Sequence, residues 1–366
     1  MLSEHEACII MNLIPGIGIV RYKALLELAG SAANALELSY RDILGVKNIG
    51  EQLAANFASW RETVRWEEEI TGASAAGVRI ITIADGDYPT QLQNISDPPL
   101  CVYVRGELPP TENAIAIVGS RRMSAYGKRM TEKIASQAAA AGWWVISGLA
   151  YGIDAAAHRA VLETGGKTAA ILGSGLSRVH PQEHWQMAHD IVETGGGLIS
   201  EYPLFNTVNR RTLPRRNRLI SAFSQGVCVV EAGQGSGALI TSSQALEQGR
   251  SVYAVPGHAD NPGATGSNAL IKNGEAMLVE DFADIANDLT GNTFRADAAA
   301  IPETRDLFAD NDSAAILNCL RLKGPANFDR LVAACNMDTA ALTAAIMKLE
   351  LEDRIARLPG NVFALK

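Results

Sequence analysis

The sequence predicts an α/β protein whose central, mostly parallel β-sheet is covered by helices on both faces, and three observations support this. Short apolar runs, glycine-rich turns and amphipathic segments alternate between residues 78 and 288, which is typical of repeated strand–turn–helix units. The apolar runs are continuously hydrophobic, as burial on both faces of a sheet requires. The segments before and after this block have helical periodicity, so we expect a helical region at each end of the chain.

The predicted strands of the sheet are apolar runs that end in turn residues. Amphipathic segments with helical spacing lie between several of them. We expect strands at residues 79–83, 114–118, 143–147, 168–172, 198–200, 227–230, 252–255 and 276–279, and helices at 127–141, 153–164, 183–193 and 239–248. The α/β block as a whole is expected to form one domain, residues 73–288.

The N-terminal segment, residues 1–72, is expected to form a small helical domain. Its apolar positions recur at helical spacing in 19–28 and 52–70, and it contains glycine turns at 15–18 and 46–50. Each turn precedes an apolar helix, as in helix-hairpin-helix units, whose backbone amides hold DNA phosphates in some proteins and are purely structural in others. Because Glu51 adjoins one turn and few basic residues lie nearby, we favour the structural role.

The C-terminal part is predicted to be a linker followed by a small domain. Residues 289–311 are polar and alanine-rich and contain Pro302, which is typical of a linker. Residues 312–366 show helical patterns at 314–322, 328–336 and 339–352, followed by two short apolar runs on either side of Pro359 and Gly360. Three helices and a terminal hairpin predict a winged helix.

Composition favours a soluble protein of two or three domains. Of 366 residues, 47% are hydrophobic and 20% are charged. The chain contains no uncharged apolar run of about 18 residues, and Glu4 and Glu6 lie where a signal peptide carries positive charge, so we expect a cytoplasmic protein. The five cysteines form no CxxC pair or other metal-ligand spacing, so we expect reduced core residues and predict no metal site.

The first candidate site follows the predicted strand 114–118. Ligands of doubly wound sheets bind beyond the carboxyl ends of the strands, which places Gly119, Ser120 and Arg121 at the mouth of a site. Gly119 permits close approach of a ligand, Ser120 and the amides after it can donate to a phosphate, and Arg121 is a bidentate donor. An ordinary turn with a solvated arginine is an equally good interpretation of the spacing. The segment is not a GxGxxG fingerprint, which argues against NAD.

Two other predicted strands end in similar loops of small residues, at 147–154 and 172–176. Three such loops favour one shared anion-binding rim. Asp154 and His158 share a helix face at i, i+4 spacing, for which an acid–base pair and a structural contact are the alternatives, and the structural contact is commoner. A further glycine-rich loop, 231–241, opens another helix and is a weak signal by itself. No GxSxG serine and no carboxylate cluster indicates a catalytic or metal centre.

Basic residues cluster in one segment, 205–222, which contains no acidic residue and carries Arg210, Arg211, Arg215, Arg216 and Arg218. The net charge of the whole chain is −8, but nucleic-acid binding depends on where basic groups cluster rather than on their sum. Arginines at this density are expected to hold phosphates, with Asn217 contacting sugar or backbone, and a solvated basic loop is the alternative.

Taken together, these segments resemble the DNA-processing protein A (DprA, also called Smf) family over nearly the whole chain. The resemblance rests on motifs in a fixed order: Gly-Asp-Tyr-Pro at 86–89, Asp-Pro-Pro at 97–99, Val-Gly-Ser-Arg at 118–121, Ser-Gly-Leu-Ala-Tyr-Gly-Ile-Asp at 147–154 with His158, Ser-Glu-Tyr-Pro at 200–203, Pro-Arg-Arg-Asn-Arg at 214–218, Ser-Gly-Ala-Leu-Ile-Thr at 236–241 and Pro-Gly at 256–257. Each motif alone is weak, whereas the ordered series is specific.

The resemblance implies an extended Rossmann-like domain that dimerises and holds single-stranded DNA in a positive pocket, with an N-terminal helical domain (SAM-like or helix-hairpin-helix-like) and a C-terminal winged helix. It implies a protein without catalytic activity or cofactor that protects incoming DNA and loads the recombinase RecA onto it in natural transformation (competence) or recombination, displacing single-strand binding protein. The DNA-binding residues implied are Gly119, Ser120, Arg121, Ser147, Gly148, Arg216, Asn217, Arg218, Asn268 and Lys272. Of these, Arg216 to Arg218 are expected at the rim of the pocket.

The chain departs from the family pattern at Gln182, where a basic residue is usual, and Arg178 is a candidate replacement for that phosphate contact.

Two other classes of function remain as alternatives. Nucleotide phosphoribohydrolases of the lysine-decarboxylase-like (LOG) group share a similar core, but their PGGxGTxxE motif places a catalytic glutamate where this chain has Leu239. A structural adaptor with a vestigial pocket is the second alternative, and the intact loop of Gly119 to Arg121 argues against it.

Overall fold

The structure is a computed structural model that describes residues 2–291, 311–335, 337–351, 354–358 and 362–365. The chain divides into two compact units, Met1–Ala299 and Ala300–Lys366. Most of the predicted linker, 289–311, lies outside the described residues. Among the helices described, none has the length and apolar character needed to cross a membrane.

The N-terminal region is helical, as predicted, and its helices are α1 (Glu4–Leu13), α2 (Ile19–Ala29), α3 (Ala32–Ala35), α4 (Tyr40–Leu44), α5 (Glu51–Ala58), α6 (Trp60–Thr63) and α7 (Trp66–Ala75). Helix α1 begins with a capping box between Ser3 and Glu6, which satisfies two free backbone amides. Apolar residues of these helices, such as Ile9 and Phe57, belong to the same buried cluster as Tyr103 of the sheet. The helical region therefore shares a core with the α/β block.

A nine-stranded sheet forms the centre of the first unit, with strands β1 (Arg79–Thr82), β2 (Cys101–Gly106), β3 (Ala114–Val118), β4 (Trp144–Ser147), β5 (Thr168–Leu172), β6 (Gly197–Ser200), β7 (Gly226–Val229), β8 (Ser251–Ala254) and β9 (Met277–Leu278). The strand order is β1-β2-β6-β5-β4-β3-β7-β8-β9. Strands β3 to β9 pair in parallel, whereas β2 pairs antiparallel with both β1 and β6. The predicted mostly parallel, Rossmann-like sheet is confirmed, and β2 is a strand that the sequence analysis did not predict.

Helices cover both faces of this sheet: α8 (Thr90–Gln93), α9 (Ala125–Ala140), α10 (Ile153–Glu163), α11 (Trp185–Glu193), α12 (Thr212–Ala222), α13 (Gly237–Glu247), α14 (Thr265–Lys272) and α15 (Phe282–Thr290). Alternate residues of a strand point to opposite faces. Accordingly, Ile115 and Ile117 of β3 pack in a cluster with α9 and α15, whereas Ala116 and Val118 pack in a cluster with α12 and α13. Two-sided burial therefore explains the continuous apolar runs.

The second unit is a winged helix, as predicted. It contains α16 (Asn311–Lys323), β10 (Ala326–Asn327), α17 (Phe328–Cys335), α18 (Thr339–Leu351), β11 (Ile355–Leu358) and β12 (Val362–Leu365). The three strands form an antiparallel sheet in the order β10-β12-β11. Leu331, Leu342 and Phe363 are buried in its core. The turn of the predicted hairpin, 359–361, lies outside the described residues.

Candidate nucleic-acid interface

A cavity of about 540 Å³ opens at the carboxyl ends of β3, β4 and β7, the edge at which doubly wound sheets bind ligands. Four segments line it. They are Val118 to Arg121, Ala150 with Asp154, Arg216 with Asn217 and Ile220, and Gly233 to Ala238 with Thr241. The structure thus brings the loops after β3, β4 and β7 together with part of the arginine segment. The loop after β5, predicted to share this rim, does not line the cavity.

The loop after β3 is fixed by its own hydrogen bonds. The amide of Ser120 donates to the carbonyl oxygen of Glu231 at 2.7 Å, so this amide is not available to a phosphate. The Ser120 hydroxyl accepts from the Arg122 amide at 3.1 Å and keeps its own proton for a ligand. A Cβ on Gly119 would lie 2.6 Å from Ile153, so this glycine serves close packing of the loop.

Glu231 anchors the segment that carries Arg121. Its buried carboxylate accepts from the Ser124 amide at 3.2 Å and from the Ser124 hydroxyl, at the start of α9. Arg121 itself is exposed and makes no hydrogen bond or ion pair with any residue described. The structure therefore holds the backbone of this loop rigidly and leaves its guanidinium available to a ligand.

Arg216 contributes a buried cation to the cavity, with only 4% of the residue exposed. Its Nη1 donates to the carbonyl oxygens of Gly148, at 2.8 Å, and Ile171, and its Nε donates to the Asn217 side chain at 3.2 Å. Its Nη2 has no hydrogen-bond partner in the part of the chain described. Burial lowers the pKa of Arg216 to about 10, against the opposing effect of Asp154, so the group stays charged at neutral pH.

Ser147 and Gly148 support this arrangement from beneath. The Ser147 hydroxyl is fully buried and donates to the Ile117 carbonyl at 2.6 Å, which joins β4 to β3. A Cβ on Gly148 would lie 2.6 Å from Nη2 of Arg216, so only a residue without a side chain leaves room for the guanidinium group. Neither residue lines the cavity, and both position those that do.

Asp154 lines the cavity but is committed to the loop after β4. Its Oδ2 accepts from the amides of Gly148, at 3.1 Å, and Ala150, at 3.4 Å. Burial raises the pKa of this carboxyl group, although the charge of Arg216 opposes the effect. Asp154 therefore shapes the loop and places a negative charge near the two arginines.

His158 is fully buried and has a partner of its own. Its Nδ1 lies 2.7 Å from the Thr168 hydroxyl oxygen, and that hydroxyl donates its single proton to the Val145 carbonyl at 2.6 Å. Nδ1 must therefore carry the hydrogen, and Nε2 is left as an acceptor without a partner among the residues described. Burial lowers the pKa of His158 to about 3. Instead of the expected contact with each other, Asp154 binds the backbone amides of its loop and His158 binds Thr168.

Aromatic side chains flank the loop after β4, and the sequence analysis did not identify them as site residues. Tyr151 is 44% exposed and donates its hydroxyl to Glu183 at 2.8 Å, and its ring packs edge-on against His184 at 5.1 Å. The next residue, Trp185, is 57% exposed. The position of Tyr151 within the predicted strand-end loop 147–154 is a signal that could have identified it, whereas Trp185 is distant in sequence and gave none.

Besides Ser147 and Gly148, three further predicted DNA-binding residues lie outside the cavity. Arg218 was expected at the rim but is 6% exposed, and its terminal nitrogens donate to the carboxylate of Glu201 at 2.8 and 2.7 Å. The side chain of Asn268 instead binds both backbone polar groups of Gly257, each at 3.0 Å. Lys272 is exposed at the end of α14.

The arginine segment departs from expectation because it is a helix from Thr212 onward. Each residue of an α-helix is rotated by about 100° from the last, so Arg216 and Arg218 point in different directions. Of these two arginines, only Arg216 can therefore face the cavity. Gln182 begins a short 3₁₀ turn (Gln182–His184), and neither it nor Arg178 lines the cavity.

Comparisons with known proteins agree with this architecture. The family model described as DNA recombination-mediator protein A matches residues 79–290, and the DprA winged helix domain model matches 296–361. Protein Smf of Escherichia coli (strain K12) is 37% identical over 284 residues, which cover 76% of this chain and 75% of that protein. DNA processing protein DprA of Bacillus subtilis (strain 168) is 38% identical over 215 residues, covering 58% of this chain and 72% of that protein.

Solved structures show the same likeness. The crystal structure of DNA processing protein A from Streptococcus pneumoniae covers 78% of this chain and 98% of its own, with a TM-score of 0.63 and 29% identity. DNA processing protein A from Helicobacter pylori, described for its single-stranded DNA binding mode, covers 59% and 98%, with a TM-score of 0.52 and 24% identity, and shares the fold. By its sequence and its two matched domains, this chain belongs to the DprA/Smf family.

Proposed function

We propose that this protein binds single-stranded DNA, without cutting it, through the cavity at the carboxyl ends of β3, β4 and β7. The observation that carries the proposal is the buried guanidinium of Arg216. It lines the cavity, its Nη2 has no partner among the residues that the structure describes, and the exposed Arg121 lines the same cavity. A guanidinium group removed from water binds phosphate oxygens through strong, charge-assisted hydrogen bonds. The description of the Helicobacter pylori relative as a single-stranded DNA binder supports the same ligand.

Preference for single strands follows from the size of the cavity and from the aromatic residues beside it. A volume of about 540 Å³ is that of a small-ligand pocket, so it admits a stretch of sugar–phosphate backbone rather than a duplex. The bases of that strand would lie outside, where Tyr151 and Trp185 expose rings on which unpaired bases stack. Bases in a duplex are already stacked and gain little from these rings.

We also propose that the bound strand is passed to the recombinase RecA, with displacement of single-strand binding protein, during natural transformation or recombination. The family description as a recombination mediator supports this role. Backbone contacts suit it, because a mediator has to hold any sequence and release it intact. The test is the rate at which RecA filaments form on strands coated with single-strand binding protein. The protein should accelerate this rate, and an unchanged rate would exclude loading.

A homodimer is proposed through the edge of the sheet formed by β9. Met277 and Leu278 on this edge strand are 46% and 45% exposed, and Leu246 of α13, which packs on the neighbouring strand β8, is 43% exposed. An edge strand with apolar side chains is a template for pairing with a second chain. Leu278→Glu should convert a dimer to a monomer in light scattering, with Lys272→Glu, at an exposed position of α14, as the charge-changing control.

The experiment that tests the binding proposal is an anisotropy titration with labelled single-stranded and duplex oligonucleotides at two salt concentrations. The single strand should bind more tightly, with little dependence on base sequence. Its affinity should fall with salt by about 0.7 logarithmic units per tenfold change for each phosphate engaged. Equal affinity for single strands and duplex would contradict the proposal.

A further inference from the structure

A second cavity, of about 510 Å³, lies between the N-terminal helices and α12. Its walls are the glycine turn before α2 and residues of the α/β block, and it is lined by Gly16, Ile17, Gly18, Ile19, Val20, Arg21, Asn48, Asp97 and Arg215. One arginine therefore faces it from each side. The helix-hairpin-helix-like turn that we interpreted as structural contributes directly to this wall.

Arg21 is a cation held in a fixed position. Its Nε donates to the carbonyl oxygen of Asn48 at 2.8 Å, and its Nη1 donates to that of Gly16 at 2.5 Å, which ties the two glycine turns together. Its Nη2 makes no hydrogen bond, and no carboxylate pairs with the side chain, within the residues described. The guanidinium is thus oriented without being neutralised.

Arg215 faces the same turn from α12. A Cβ placed on Gly18 would lie 3.9 Å from its Nη2. The carboxylates of Asp97 and Glu201 are each 3.6 Å from its nitrogens, beyond good hydrogen-bond distance, and both lie closer to Arg218. The lining of this cavity contains two arginines and one carboxylate, that of Asp97, so its net charge is +1. Because neither carboxylate is within good hydrogen-bond distance of Arg215, the N–H groups of this arginine remain available to a ligand.

Two consecutive residues of α12 line the two cavities. Arg216 faces the first cavity and Arg215 the second, because successive side chains of a helix diverge by about 100°. Consecutive Cα atoms are about 3.8 Å apart, so the two guanidinium groups start from neighbouring points. A strand that leaves the first cavity over α12 would therefore pass close to the second.

We propose that this second cavity binds a further phosphate of the same DNA strand, so that the N-terminal helices take part in holding it. The inference rests on the proposed function for the identity of the ligand. Its basis is the pair of arginines with unused donors on opposite walls of one cavity. It assigns a binding role to the N-terminal region, in place of the structural role that its sequence favours.

The test compares oligothymidylates of increasing length, from 4 to about 20 nucleotides, a range that brackets common single-strand site sizes. Arg215→Gln should leave affinity for the shortest strands unchanged. It should weaken binding of the longer strands by about fivefold to tenfold, and lower the salt slope by about 0.7, the value for one phosphate. Arg215→Lys should retain most of that slope, and Arg159→Gln, at an exposed position of α10 outside both cavities, should bind normally.

A second pair of variants tests the cavity without removing a native contact. Val20 lines it and is 64% exposed, so Val20→Glu adds a negative charge and Val20→Gln adds the same bulk without charge. Only the glutamate variant should weaken binding of the longer strands. If both arginine and glutamate variants bind every length as the unmodified protein does, the second site is refuted while the first cavity stands. If the unmodified protein binds no single strand, the proposed function itself fails.

Discussion

Replacement of Arg121 by alanine separates DNA binding from folding more cleanly than any other change at the site. The side chain is exposed, lines the first cavity and makes no hydrogen bond or ion pair with the residues described. Its loss therefore removes no folded-state interaction, and the thermal midpoint should stay unchanged. Arg216 is unsuitable for this purpose, because its Nη1 also holds the carbonyl oxygens of Gly148 and Ile171.

The expected loss of binding follows from the contact removed. A charge-assisted hydrogen bond contributes about 1–3 kcal/mol, so Arg121→Ala should weaken single-strand binding by roughly 5-fold to 150-fold. The salt slope should fall by about 0.7, because one phosphate contact is lost. The loss should be alike for different base sequences, since phosphate contacts carry no sequence information. Anisotropy titrations at several salt concentrations measure all three quantities.

Arg159→Ala is the matched control for this experiment. Arg159 is exposed on α10 and lies outside both cavities, so its removal changes net charge by the same amount without touching the site. Binding by Arg121→Ala within twofold of the unmodified protein, with the salt slope unchanged, would refute the assignment of Arg121. Equal losses for both variants would show a general charge effect instead.

The remaining predictions concern Asp154, His158 and the phosphoribohydrolase alternative. Asp154→Asn keeps an acceptor for the Gly148 and Ala150 amides but removes a negative charge from the cavity. Single-strand affinity should therefore rise by about 1 kcal/mol, or roughly fivefold. A fall in affinity would contradict this prediction. Because burial raises the pKa of Asp154, affinity of the unmodified protein should rise as the pH is lowered, and the Asn variant should lack that rise. The pKa of His158 is about 3 in the folded protein and about 6.5 in the unfolded chain, so the folded state loses stability as the pH falls below 6.5. Urea unfolding should therefore give a free energy of unfolding about 2 kcal/mol lower at pH 5 than at pH 7. The His158→Gln variant should lack this difference. Incubation with AMP should release no adenine, because Leu239 replaces the catalytic glutamate of phosphoribohydrolases; release that Arg216→Gln abolishes would favour that enzyme class.

The location of the site could be predicted from sequence because it depends on topology. Parallel strands of one sheet end at the same edge, so the loops after β3 and β4 were expected to meet. Strand β2 was not predicted, because it runs antiparallel and no helix follows it directly, which breaks the strand–turn–helix alternation. The sheet itself could be recognised without that strand.

The partners of individual side chains could not be predicted in the same way. Pro214 and the arginines gave α12 the composition of a basic loop, although proline is tolerated in the first turn of a helix. Once the segment is helical, rotation takes Arg218 to the buried Glu201, which lies 17 residues away in sequence and gives no local signal. The amide of Asn268 was likewise assigned to DNA but holds Gly257, a contact that depends on how α14 packs.

The most direct test of the account is a structure of this protein with a bound oligothymidylate. A phosphate oxygen should lie about 3 Å from Nη2 of Arg216, within reach of Arg121 and the Ser120 hydroxyl, and the bases should lie outside the first cavity. A strand bound elsewhere, for example on the winged helix alone, with Nη2 of Arg216 still unpartnered, would contradict the central claim.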